Sequence, residues 1–460
     1  MKKRLNLLVC LGSVITLIAM LMVPAAALAF TPTINGFAVP TSSANPWDIA
    51  AGPDGNMWFT ESNANKIGKV TLSGTVTEYT VPTSSSVPFG IVAGPNGNMW
   101  FTEFSGNKIG EITTGGSFTE FTIPTNTAVA GSLVVGPDNN IWFTEYNANK
   151  IGKVTTSGVF TEYTIPTSSS SPSAITAGSD GNLWFVEYAG NKVGKVTTSG
   201  SFTEYAIPTS SAQPEALTAG PDGNVWFSET STAKIGKITP AGTITEYPTA
   251  SATSYPWGIT TGPDGNLWYT ENVTSVNKIA SMTTSGTTVD YSIPTANSLP
   301  VHITTGPDGN MWFTEQQGNK IAQLVLPAKP SIVNKSSTVT TGGSVTVDVL
   351  SGIAGNPDAS TLKIISGPSH GTAVDPPGTI TYTPNAGYTG SDSLTYQVCS
   401  LDDPGICNTA VLGFSVVAGA PATGFSINNS MSTSKILAIF TLTSGSVLTI
   451  AFAARKKFVR

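Results

Sequence analysis

Apolar and polar residues alternate in short runs, punctuated by Gly, Pro, Asn and Ser, along most of the chain between residues 34 and 417. A period of two with turn residues between the runs predicts short, half-buried β-strands. The strongest apolar runs are each built on one Trp: Trp58, Trp100, Trp142, Trp184, Trp226, Trp268 and Trp312, spaced by 42 residues five times and by 44 once. Each of these seven units reads as four strands, as in PFGIVAG, NMWFTE, NKIGKVT and TEYTVP. Four strands in roughly 40 residues is the period of a propeller blade, and the Gly and β-branched content excludes a helical solenoid. The seventh unit runs through NKIAQLVLP and lacks its fourth strand, whereas INGFAVPTSSANP, Ile34 to Pro46, is the tail of a unit without a head. The strand Gly36 to Pro40 is therefore expected to complete the last blade and close the ring, which removes its exposed edges.

Repetition separates framework from site. Glu61, Glu103, Glu145, Glu187, Glu229, Glu271 and Glu315 all stand three residues after the Trp, so none of them marks a single asymmetric site by its presence. Together with Lys66, Lys108, Lys150, Lys192, Lys234, Lys278 and Lys320 they predict one Glu–Lys tie per blade, which fixes register more than it adds net stability. The alternative is a ring of carboxylates around the axis that holds a cation. The Pro-Asp-Gly segments are turn chemistry and lack the further carboxylates of a calcium loop. The blades differ where the first strand begins: Trp47-Asp48, Phe89-Gly90, Gly131-Ser132, Ser173-Ala174, Glu215-Ala216, Trp257-Gly258 and Val301-His302. First strands line a propeller's channel. Trp47, Asp48, Phe89, Glu215, Trp257 and His302 are thus expected to form an apolar, partly acidic funnel, either a ligand site or a channel plugged by the two Trp.

The termini place the protein outside the cell. Residues 1–29 have the basic start, apolar run and Ala27-Leu28-Ala29 ending of an export signal, with Phe30 the expected mature start. Cys10 is lost with that signal. Cys399 and Cys407 remain, positioned either for a disulfide in an oxidising compartment or for a free thiol pair, and too few for a Cys-type metal site. At the other end APATGF opens a polar linker, 418–435, followed by the apolar run 436–454 and the basic tail 455–460. That run is long enough to span a bilayer with its Lys/Arg cluster on the cytoplasmic side. The order resembles a sortase sorting signal, which implies cleavage at Thr423-Gly424 and attachment to the cell wall; Ala420 stands where that motif has Leu. The alternative is a plain membrane anchor. A net charge of −6 with no internal basic block excludes nucleic acid as a partner class.

Between the termini the reading is all-β: a propeller over 30–327 and a second domain over 328–417, where VTVDVLSGIAG, GTITYTPNAGYTGSDSLTYQV and GFSVV alternate strands with turns. This second part resembles bacterial Ig-like or cadherin-like modules, which implies a β-sandwich stalk. His370, in GPSHGT, reads as a turn residue.

The propeller pattern P-x-x-I-x-x-G-P-D-G-N-x-W-F-T-E, followed by NKIGKVT and TEYTIP, resembles the streptogramin (virginiamycin B) lyases over about residues 34–326. The resemblance implies a seven-bladed propeller that opens a cyclic depsipeptide by elimination at its ester, with a His base and a magnesium ion. It also implies a His directly after the Pro of the first strand in the last two blades and a Glu before the final Pro. Trp257, Val301 and Leu299 stand there. His302 is one residue late, which on a regular strand turns its side chain to the other face, and Glu315 is the nearest candidate for the last-blade carboxylate and metal ligand. Three functions follow from these residues: binding of an extracellular small molecule, glycan or peptide; a C–O lyase using His302, Glu315 and magnesium; or a structural or adhesive surface protein.

Overall fold

The computed structural model describes residues 32–402 and 406–419. The export signal, Thr423-Gly424 and the apolar run 436–454 lie outside the described residues, among which no helix is long and apolar enough to cross a membrane.

Seven four-stranded antiparallel sheets form the first domain among the described residues. Their innermost strands, from Pro46–Ala51 in the first blade to Pro300–Thr305 in the seventh, touch one another in sequence, and the seventh touches the first. Closure follows the expected route. Thr33–Ala38 pairs antiparallel with Lys320–Val325, with Phe37 opposite Ile321, so the N-terminal strand is the outer strand of the last blade. The Phe37 ring stacks on Trp312 at 5.6 Å, repeating the contact of Tyr79 on Trp58 and Tyr163 on Trp142. Asn319 locks the joint by donating to the carbonyls of Val39 and Thr41 and accepting from the Ala44 N–H.

Packing explains the repeated residues. In each blade the Trp is fully buried against the next blade, as Trp58 is against Ile91, Met99 and Phe101. Its Nε1–H donates at 2.8–3.1 Å to the turn Asp four residues earlier, or to Asn96 in the second blade. The Pro-Asp-Gly turn is therefore an indole acceptor. Burial alone would raise the carboxyl of Asp54, but the Trp58 and Asn56 donors bring it below its ordinary value.

The expected Glu–Lys tie is not the one that forms. Lys66 and Glu61 face each other across neighbouring strands, yet the Lys66 ammonium reaches Glu78 on the outer strand at 2.7 Å. Equivalent pairs join Lys108 to Glu120, Lys150 to Glu162, Lys192 to Glu204, Lys234 to Glu246 and Lys278 to Asp290. Glu78 also accepts the backbone N–H and hydroxyl of Thr41, which pins the loop leading into its blade. Glu61 is fully buried, so an ammonium beside it would lose its water, whereas Glu78 keeps part of its hydration. Among the described residues Lys320 has no such partner, because Gly36 stands where the other blades have the acid; it donates to Thr295. The seven repeat glutamates are left buried between blades. Burial, then the charge of the nearby outer-strand acid, pushes Glu61 and Glu145 up to about 8.

The second domain is a sandwich of a four-stranded and a three-stranded sheet, in which Lys335–Thr340 pairs parallel with Cys407–Val417. Val339, Val349, Tyr382, Tyr396 and Phe414 belong to its core. Cys399 and Cys407 face each other across neighbouring strands and are joined by a disulfide. His370 lies in a loop whose backbone N–H donates to Asp392, consistent with a turn role.

Candidate functional site at the channel mouth

Strained backbone sets the mouth of the channel. The residue before the inner strand is left-handed in six blades, with φ between 47° and 59° at Asn45, Val87, Val129, Ser171, Gln213 and Leu299. For the β-branched Val87 and Val129 this conformation persists only because the surroundings over-determine it. Their carbonyls accept the backbone N–H of Phe104 and Tyr146, and Ser171 does the same for Tyr188. The residue after each repeat Glu is thereby fixed at the mouth, and in these three blades it is aromatic.

Every inner strand then bulges between its Pro or Ala and the Ile or Leu three positions on. A bulge suspends the alternation of faces and re-aims side chains. The expectation that His302 turns away from the funnel fails for this reason. Its ring lies 6.3 Å from that of Trp47, and its Nδ1 is 3.4 Å from Asp48 Oδ1. Asp48 is held in turn by the N–H of Ile49 on Oδ1 and by the N–H of Ile91 on Oδ2. One carboxylate thus links blades seven, one and two.

Close approach of neighbouring inner strands limits what the second bulge position can carry. A Cβ at Gly258 would stand 2.5 Å from the Val301 carbonyl oxygen, and one at Gly90 2.8 Å from the Gly131 oxygen. A hydroxyl latches most of these seams: Thr60 donates to the Phe89 carbonyl, Thr102 to Gly131, Thr144 to Ser173, Ser228 to Trp257, Thr270 to Val301 and Thr314 to Trp47. The seam missing from this series is the one leading to Glu215, where Val186 replaces the hydroxyl residue.

Two halves of the mouth differ in chemistry. Trp47 packs on Phe89 at 4.7 Å and edge-on to Trp257 at 6.1 Å, while Phe104 extends the cluster from Phe89 and Tyr255 from Trp257. Val301, at the same position of the last blade, is 1% exposed. On the other side Gly131, Ser173 and Ala174 carry little bulk, and Glu215 is on the inner strand between that of Ser173 and that of Trp257. Glu215 is only half-buried by its surface, because the channel reaches it, yet protein surrounds it deeply enough that burial pushes its carboxyl up to about 8. Burial raises Tyr188 as well, with further contributions from Tyr255, Glu215 and Tyr146.

Of the sequence-predicted funnel, Trp47, Asp48, Phe89, Trp257 and His302 are brought together, and Glu215 stands apart from their contacts. Sequence reasoning missed Phe104, Tyr146, Tyr188 and Tyr255. The signal was available for the first three, since the residue after the repeat Glu reads Ser, Phe, Tyr, Tyr, Thr, Asn and Gln through the blades, whereas Tyr255 stands just before the inner strand of the sixth blade. Glu315 does not join His302. It is buried inside the last blade, where its Oε2 would crowd a Cβ at Gly318 at 2.6 Å. The magnesium expectation fails a test of fit, because Asp48 is already engaged by two backbone N–H groups and Glu315 is buried between blades. Among the described residues no three His, Cys, Asp or Glu side chains form a set that could hold a metal ion. A separate cleft of about 450 Å³ lies between Pro263, Asp308, Lys329 and Ile406, and its two acids, Asp264 and Asp308, are committed to Trp268 and Trp312.

Comparison with known proteins agrees with this architecture. Residues 327–415 match the bacterial Ig domain. Among solved structures, a streptogramin B lyase is 37% identical, covering 64% of this chain and 98% of its own, with a TM-score of 0.61. The selenomethionine-substituted virginiamycin B lyase from Staphylococcus aureus is 36% identical, covering 64% and 99%, with a TM-score of 0.61. A catalytically inactive histidine-to-alanine variant of that lyase, solved with quinupristin, gives the same values. With residues 24–249 and 210–355 both matching its family model, this chain belongs to the virginiamycin B lyase family.

Proposed function

We propose that this protein is an exported, surface-anchored propeller that binds a small extracellular ligand at the channel mouth and does not cleave it. The observation that carries this reading is the pair Trp257 and Val301. At the two positions where the family resemblance implies His, one side chain is an indole packed on Trp47 and the other is an apolar group sealed from solvent. Neither can take a proton. Leu299, where the resemblance implies Glu, has neither charge nor acceptor. What remains is a concave site with aromatic walls and a few polar groups, the composition of a binding pocket.

Quinupristin, present in the related inactive lyase variant, is the probe. Saturable quenching of tryptophan emission at 1:1 stoichiometry, weakened in Trp47→Ala, is expected while the compound stays cyclic. Identical responses of the wild type and Trp47→Ala would leave a plugged, structural propeller as the better account.

A second reading has one observation in its favour. His302 Nδ1 stands 3.4 Å from Asp48 Oδ1 in the mouth, and a His beside a carboxylate is a competent base. In that reading His302 removes the proton and the shifted pair replaces the family's own. Its test is ring opening that Asp48→Asn slows, with His302→Ala abolishing it.

A further inference from the structure

Blade seven departs from the other six at its outer seam. In blades one to five an outer-strand Glu gathers three donors at 2.7–3.0 Å: the backbone N–H and hydroxyl of a loop Thr and the ammonium of the third-strand Lys, as Glu78 does with Thr41 and Lys66. Blade six keeps the ion pair, Lys278 to Asp290 at 2.9 Å. In blade seven Thr295 and Lys320 are present and the acid is not, because the closing strand brings Gly36 opposite Ala322, whereas Glu78 stands opposite Gly68. Lys320 donates to the Thr295 hydroxyl at 3.0 Å, the contact that Lys66 makes with Thr41 at 2.7 Å, so these donors keep their places without the carboxylate. Among the described residues the Thr295 N–H has no acceptor.

The gap has a size and a sign. A Cβ at Gly36 would meet the Lys320 Cδ at 3.2 Å and its ammonium at 3.7 Å, both on a flexible chain that can give way. Gly36 is exposed, so a ligand reaches this position from solvent. Glu315 lies opposite Lys320 in register but is buried between blades, so it does not fill the place of the missing outer acid. We propose that this seam is a binding site for a short-chain organic carboxylate, which takes the donors of Thr295 and Lys320 as Glu78 takes those of Thr41 and Lys66. A Glu side chain cut back to Gly removes the equivalent of propionate, which is therefore the matching ligand. The site is separate from the channel mouth and independent of the reading given for it. Charge-assisted donors at a partly hydrated position bind weakly, with a Kd of about 10 mM.

Sodium propionate is the probe, compared with sodium chloride at equal ionic strength and with neutral propionamide, and read by saturation-transfer NMR and by the melting temperature of the propeller. The purified protein should transfer saturation to propionate and not to propionamide. Propionate at about 100 mM should raise the melting temperature by about 2–4 °C over the chloride control. Gly36→Glu puts the acid on the chain, so it should melt higher than the wild type and lose the propionate response. Lys320→Met should weaken propionate binding about tenfold. Equal propionate responses in the wild type and Gly36→Glu would reduce the effect to one of bulk salt and overturn the site, as would an unchanged response in Lys320→Met. No response in the wild type would also overturn it and make Glu315 a sufficient counter-charge for Lys320. The capped peptide acetyl-Ala-Glu-Ala-amide carries the same carboxylate on a chain, and tighter binding of it than of propionate would overturn the free acid as the source.

Discussion

Removal of the N-terminal strand is the perturbation whose size the structure defines best. An exported chain starting at Thr41 lacks Thr33–Ala38, and with it the outer strand of the seventh blade. The lost backbone ladder contributes little net, since each hydrogen bond is worth about 1 kcal/mol and each residue ordered costs a similar amount. Side chains decide the outcome. Phe37 is half-buried and stacked on Trp312, so its removal costs about 2 kcal/mol. Val39 is 4% exposed and adds about 1.5 kcal/mol. Uncovering the fully buried Trp312 and Ile321 adds about 1–2 kcal/mol more. The total, about 5 kcal/mol, is a large share of an ordinary domain's stability. The deletion should therefore lower the denaturation midpoint strongly and, by baring the edge at Lys320–Val325, promote association. Phe37→Ala and Tyr163→Ala serve as paired controls, because each removes one ring from one Trp; they should cost similar amounts, about 2 kcal/mol. A midpoint unchanged by the deletion would refute the closure argument.

The remaining predictions are briefer. The folded pKa values of Glu61, Glu145 and Glu187, raised from 4.5 to about 8, mean that the native state holds extra protons between those limits, so stability falls as pH rises from about 4.5 to about 8. The lowered Asp54, Asp138 and Glu78 act oppositely, their contribution being lost as pH falls through the acid range. Melting temperature should accordingly peak in mildly acidic buffer, and Glu145→Gln should flatten its decline towards pH 8; a melting temperature at pH 8.5 equal to that at pH 5 would contradict this. Reducing Cys399–Cys407, which closes a loop with a sequence separation of 8, should destabilise the sandwich by about 2.5 kcal/mol while the propeller transition stays in place, as two-step calorimetry can show. Deleting residues 418–460 should release the protein into the medium; retention on cells would rule out that segment as the main anchor.

The propeller was legible because its code is redundant. The same indole, turn Asp and outer-strand aromatic recur in register, so the blade count and the origin of the closing strand followed from spacing alone. Side-chain pairing was less legible. Lys66 sits across from Glu61 and still chooses Glu78, since hydration and not register decides where an ammonium goes. The site was half legible: variation between blades located the mouth, but a period-two reading sent His302 to the wrong face, because a bulge is invisible when its flanking residues are ordinary. Tyr146 and Tyr188 are masked in the sequence because each directly follows a repeated residue.

The central claim is that the mouth binds without cleaving. Its most direct test is chromatography with mass detection of quinupristin incubated with the purified protein and magnesium. The account predicts that the cyclic compound is recovered unchanged, at the rate of a protein-free control. A ring-opened product of identical mass, formed above that rate and lost in His302→Ala, would contradict it and make the His302–Asp48 pair the catalytic base of an active lyase.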